Sequence, residues 1–294
     1  MLKLPATRIL SSMPRACMFL FVATCLYVVN ELALGFRWPG DGVGWPDALL
    51  VIFAAATTLM SLARRLPWQN VVLAAAIIAV MGALSIWPAA SGIWHPESGI
   101  GHLKFPTGRG PRFFGVLPWA VPFVWVIVLL NSRGAAQLIL RRRRGTANFG
   151  WEVFGLTAAL VMLLLSCLLP FATSVEKYWE WVGPSATVHW YGTPWWAFAV
   201  LLGVTVCMLP AVTPVLLDKR PDYPPADFHP MIMWVFLNSV FAAGSVARGM
   251  SLAVVLHVGA AIGSGVLAVR VRQSGLPARS NDGKDETNTT DDWS

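Results

Sequence analysis

Glu31, Glu180, His189 and His257 are the side chains whose types and surroundings could do chemistry in this sequence. Glu31 follows Asn30, and the two polar residues interrupt an otherwise apolar run. Glu180 lies in YWEWVGPSATVHWYGTPWWAF, Tyr178–Phe198, where eight of twenty-one residues are aromatic and five of the chain's fifteen Trp collect. A carboxylic acid held among apolar groups keeps its proton at neutral pH and can hand it to a substrate. Indole faces attract a passing cation through the ring quadrupole. An acid flanked by Trp179 and Trp181 therefore has the parts of a proton-delivering site for an apolar molecule. The same aromatics would equally make an interfacial belt, because Trp and Tyr concentrate at membrane surfaces.

Each group also has a plainer role. Glu176 and Glu180, four apart, could be solvated acids on a helix end. His257 could donate one hydrogen bond to a neighbouring helix. Glu152 suits the start of a helix, where the dipole favours an acid. Haem ligation needs two facing imidazoles, and only His257 sits inside an apolar run. There is no HExxH, P-loop or GxGxxG. Cys17, Cys25, Cys167 and Cys207 lie in apolar segments without a C-x-x-C pair, as packing residues do. Neither a metal nor a cofactor is expected.

The elements that must position these groups follow from composition. The 294 residues are 56% hydrophobic and 13% charged, half the charge of an ordinary soluble domain. Roughly 20 apolar residues cross a bilayer, and eight such runs are present: 17–36, 46–63, 70–88, 115–132, 150–171, 195–217, 231–247 and 250–269. The expected fold is all-α, a polytopic transmembrane bundle over residues 1–272, with a disordered polar cytoplasmic tail over 273–294. The first run follows Lys3, Arg8 and Arg15 but lacks a convincing cleavage site, so it reads as a retained helix. Gly259 and Gly263, four apart, read as a close helix-packing pair.

Lys and Arg set the orientation. With the amino terminus inside, sixteen of the 22 fall on the inner side, among them Arg64, Arg65 and the run Arg141–Arg144, and six on the outer side. Both termini are thus expected in the cytoplasm, in a bacterial cytoplasmic (inner) membrane. The net charge of +7 comes from this bias and needs no nucleic-acid partner. Two long outer loops hold most of the acid–base capacity: 89–114, with His95 and Glu97, and 174–194. Asn238 is placed near mid-membrane in the seventh run. No inverted repeat of the transporter kind is visible in the hydropathy.

Two stretches carry a family resemblance. FFGVLPWAVPFVWVIVLLNSRGAAQLIL (113–140) opens its helix with Pro118 and Pro122, and YWEW (178–181) precedes WYGTPWWAF (190–198). Their order and spacing resemble the multi-pass carotenoid biosynthesis family that includes the bisanhydrobacterioruberin and gamma-carotene hydratases, over roughly residues 110–205. The chain departs from that pattern twice. Leu169, before Pro170, stands where the family has a second Asp, and Ala197 stands where it has Asn before Phe198.

The resemblance implies acid-catalysed hydration of a terminal carotenoid double bond without a cofactor, by a lyase-type hydratase. A strong acid protonates one carbon, and water captures the tertiary cation. Glu180 and Glu31 are the expected acids. Trp119, Tyr178, Trp179, Trp181, His189, Trp190, Tyr191, Trp195, Trp196 and His257 are the expected substrate-binding residues, and the partners are the lipid bilayer and a carotenoid or other polyisoprenoid. The rival readings are a non-catalytic carotenoid binder and a small-solute transporter.

Overall fold

The computed structural model describes residues 6–34, 45–91, 102–106, 111–143, 146–175, 178–183, 189–217 and 227–274. Eight helices are found among them: α1 (Ala6–Leu34), α2 (Trp45–Ala63), α3 (Trp68–Ala90), α4 (Ala120–Ile139), α5 (Phe149–Pro170), α6 (Trp195–Val212), α7 (His229–Ala247) and α8 (Ser251–Ser274). Every apolar run became a helix. Six helices are long and apolar enough to cross a bilayer, whereas the apolar stretches Ala48–Ala63 of α2 and Ser251–Leu267 of α8 are shorter. Large apolar side chains stand exposed on α1 (Phe19, Leu26), α3 (Val80, Leu84) and α8 (Val255, Ile262). Such faces suit lipid, which asks only that backbone polar groups be satisfied within the helix. The expected tail beyond Ser274 lies outside the described residues, as do His95, Glu97 and Glu176.

Among the described residues, six short strands form three two-stranded ribbons that the all-α expectation did not contain. β1 (His102–Lys104) pairs antiparallel with β4 (Glu180–Val182). β2 (Arg112–Phe113) pairs with β3 (Leu117–Pro118), and β5 (His189–Trp190) with β6 (Thr193–Pro194). The β2–β3 hairpin is why α4 starts at Ala120 rather than 115. Phe114 and Gly115 turn at φ 49° and 71°, a left-handed conformation that no helix continues through. α4 then runs on to Ile139, through a segment rich in good helix formers.

α4 is the centre of the bundle. It packs against α2, α3, α5, α7 and α8, and 14 of its 20 residues are buried. Two glycines make these approaches close: a Cβ at Gly82 of α3 would collide with the indole of Trp125, and one at Gly134 with the ring of Pro230 in α7. Gly259 and Gly263, the pair expected to pack closely, have open space around the place of a Cβ. That expectation is corrected, because α8 turns both towards its free side. Within the helices, Thr58, Thr157, Thr205 and Ser264 donate to carbonyls four residues back, and Thr58 Oγ1 also accepts from Asn131 Nδ2 of α4 at 2.8 Å.

A polar cluster ties the end of the bundle opposite the ribbons. Asp227 accepts hydrogen bonds from Ser61 Oγ at 3.0 Å, lies 2.7 Å from His229 Nδ1, and lies 3.7 Å from Arg65. Burial alone would raise this carboxyl, but the His229 hydrogen bond and the Arg65 charge outweigh burial and hold it below the usual carboxylate range. Glu152, in the first turn of α5, pairs with Arg143 at 2.6 Å, so the structural role read for it stands.

Candidate functional site: an apolar cavity under the ribbons

α5 breaks where its sequence requires. Pro170 has no N–H, so the Ser166 carbonyl four residues back loses its helical donor. The indole Nε1–H of Trp190 donates to that carbonyl at 3.0 Å instead. Beyond Pro170 the chain continues as a π-helical turn, Phe171–Val175. Thr173 Oγ1 and Ser174 Oγ lie 2.6 and 3.1 Å from the Tyr191 carbonyl and donate to it. These bonds fasten the β5–β6 hairpin over the end of α5.

Beneath the ribbons lies a cavity of about 90 Å3. Its walls are Val121, Val124, Trp125 and Val128 of α4, then Ala197, Val200 and Leu201 of α6 with Trp196. Leu165, Leu168 and Leu169 of α5 and Ser85, Ile86 and Ala89 of α3 close the sides, while Leu103, Trp179, Trp181, Gly192 and Thr193 form the roof. The described lining holds no ionisable group. Its rings are fixed edge to face: Trp181 on Trp196 at 4.9 Å and Trp179 on Phe105 at 6.2 Å between centroids.

The strand period of two decides which part of YWEW faces this space. Leu103 and Trp181 are register partners and turn inward, whereas Lys104 and Glu180 are partners and stand exposed. Glu180 therefore sits on a wall strand with its carboxyl on the outer side. Glu31 is half-buried on α1. That helix packs on α2 and α7 and contributes nothing to the lining.

Of the expected binding residues, Trp179, Trp181 and Trp196 line the cavity. Trp190 and Tyr191 support it through the two hydrogen-bonded carbonyls. Tyr178 is held beside the π turn by its N–H on the Ala172 carbonyl, 2.8 Å. Trp119 caps α4 with its ring against Phe123, Trp195 is exposed against Trp190 and Phe198, and His189 is exposed on β5. His257 lies elsewhere, between α8 and α7, with Nε2 2.9 Å from Ser245 Oγ.

Several lining residues had not been singled out in the sequence. Val121, Val124, Trp125 and Val128 repeat at helical spacing, the one signal that could have marked α4 as a wall. Leu169 and Ala197, the two positions that depart from the resembled pattern, both face the cavity. They make apolar what the pattern would make polar.

Long apolar helices, with an apolar cavity roofed partly by indoles at one end, are the build of a multi-pass membrane protein. A family model described as carotenoid biosynthesis protein matches residues 46–269, and the chain belongs to that family. No curated protein and no solved structure matches it. Its role is in carotenoid biosynthesis.

Proposed function

We propose that the cavity takes the end of a carotenoid, or of an isoprenoid precursor, and holds it for a step of carotenoid biosynthesis. The observation that carries this reading is the lining, which apart from Ser85, Gly192 and Thr193 is apolar or aromatic among its described residues, between helices of a carotenoid biosynthesis family member. A volume of about 90 Å3 is smaller than the roughly 150 Å3 cavity that admits one benzene. It suits a chain end of a few carbons, with the rest of the polyene lying along the lipid-facing helices. The same reading has eight crossings of a bacterial cytoplasmic membrane with both termini in the cytoplasm, as the Lys and Arg bias favours.

Hydration of that end is the second reading. It is favoured by the position of Glu180 between two lining indoles, and its acids are Glu180 and Glu31. A proton delivered to the terminal double bond would leave a tertiary cation beside Trp179 and Trp181; water at the membrane surface would capture it, and the resulting oxonium would return its proton to the carboxylate to leave the alcohol. Against it stands the outward carboxyl of Glu180 and the apolar side chains at Leu169 and Ala197. Geometry therefore favours binding over turnover.

Expression in a host that makes lycopene and gamma-carotene, followed by purification and pigment analysis, tests both. Pigment carried through purification unchanged supports the binding reading. A product heavier by one water supports hydration. Protein that is made, inserted and purified without pigment contradicts the proposal.

A further inference from the structure

Two stretches of the chain have the same build. α3, β1, the β2–β3 hairpin and α4 follow one another as α5, β4, the β5–β6 hairpin and α6 do. Each hairpin turns on an aromatic residue followed by glycine, all at positive φ: Phe114 at 49° with Gly115 at 71°, and Tyr191 at 44° with Gly192 at 86°. Bulky side chains rarely take that conformation, so its recurrence at matching places is a structural signature. Each second strand ends in proline and leads through tryptophan into a helix, Pro118-Trp119 and Pro194-Trp195.

The contacts repeat as well. β1 and β4 occupy matching places and pair antiparallel about Leu103 and Trp181, the pairing that a local twofold produces. α3 packs against α6, as α5 packs against α4. Counted from the two tryptophans, Val121 corresponds to Ala197, Val124 to Val200 and Trp125 to Leu201, and all six line the cavity.

We infer that the cavity lies on the axis between two copies of one helix–strand–hairpin–helix unit, and that Trp125 sets the size of the chain end it admits. Among these three pairs of wall residues, Trp125 and Leu201 differ most in volume, an indole against an isobutyl group. The indole cannot withdraw, because its base is seated against Gly82, where even a methyl group would collide with it. At this pair of positions the wall is therefore bulkier on the α4 side than on the α6 side. This deepens the proposed carotenoid site and rests on it.

The test uses lycopene and β-carotene, polyenes of similar length with narrow and ring-bearing ends, bound to the purified full-length protein in detergent. The wild-type protein should prefer lycopene. Trp125→Leu should shift the preference towards β-carotene by about tenfold or more, the loss of roughly two buried methylenes' worth of discrimination, with Trp125→Phe in between. Leu201→Trp, which does not depend on how Trp125 variants fold, should lower lycopene binding by a similar factor. If the wild-type protein binds neither polyene, the carotenoid reading falls and this inference with it. If it binds lycopene while Leu201→Trp binds as well as wild type, or Trp125→Leu keeps the wild-type preference, the size gate alone is wrong.

Discussion

Glu180 shows how a single residue can be well placed in sequence and turned the wrong way in space. Its neighbours Trp179 and Trp181 line the cavity, and alternation along a strand sends the residue between them to the other face. A helix through YWEW would have set Glu180 about 100° round from Trp181 rather than on the opposite face, and nothing in four residues distinguishes the two outcomes. The aromatics were legible as a group, but the division into lining, supporting and exposed members depended on ribbons that join segments about 80 positions apart. Glu180→Gln and Glu31→Gln should each leave the carried carotenoid within about twofold of wild type, a change below 0.5 kcal/mol. The hydration reading expects the same retention but loss of the hydrated product. Loss of pigment from either variant contradicts both placements.

At the scale of elements, the eight helices were readable because apolar length is a strong signal in a membrane chain. The ribbons were not, since strands of two or three residues leave no period to detect. The two-residue turn Tyr191-Gly192 and the aromatic–glycine pair at Phe114-Gly115 were the available signs, and both preceded a proline. The break in α5 illustrates how such elements depend on each other. Pro170 frees the Ser166 carbonyl, and the Trp190 indole in the hairpin satisfies it at 3.0 Å. Trp190→Phe keeps the ring but orphans that carbonyl, at a cost of about 1–3 kcal/mol. Melting of the purified protein should fall accordingly, and pigment retention should fall with it as the roof loosens. An unchanged melting temperature would remove Trp190 from its role as a clasp.

For the whole molecule, the two ends of the bundle are built for different tasks. The ribbon end is aromatic and encloses the cavity, while the other end is held by Asp227, His229, Arg65 and Ser61. The Asp227 carboxyl lies below its usual range in the folded protein. Its contribution is therefore complete above the ordinary carboxylate value of about 3.9 and is lost as pH falls through the lower folded value. Thermal stability should be insensitive to this group between pH 5 and 8 on a scale of about 1 kcal/mol, then drop on further acidification. Asp227→Asn should lower stability at pH 7 and remove that part of the acid limb. A variant with the wild-type acid limb would show that another group carries it.

If the cavity beneath the ribbons holds the end of a carotenoid, filling that cavity must displace the pigment. Ala197 is a small side chain on the α6 wall, so Ala197→Phe fills the space without adding charge. Wild-type protein and the variant would be purified side by side from cells making lycopene and gamma-carotene, with pigment measured per mole of protein. The wild-type protein should carry pigment and Ala197→Phe should carry about tenfold less, equivalent to roughly 1.4 kcal/mol of lost binding, while melting within a few degrees of it. A correctly folded Ala197→Phe protein carrying as much pigment as wild type would place the carotenoid elsewhere and contradict the claim.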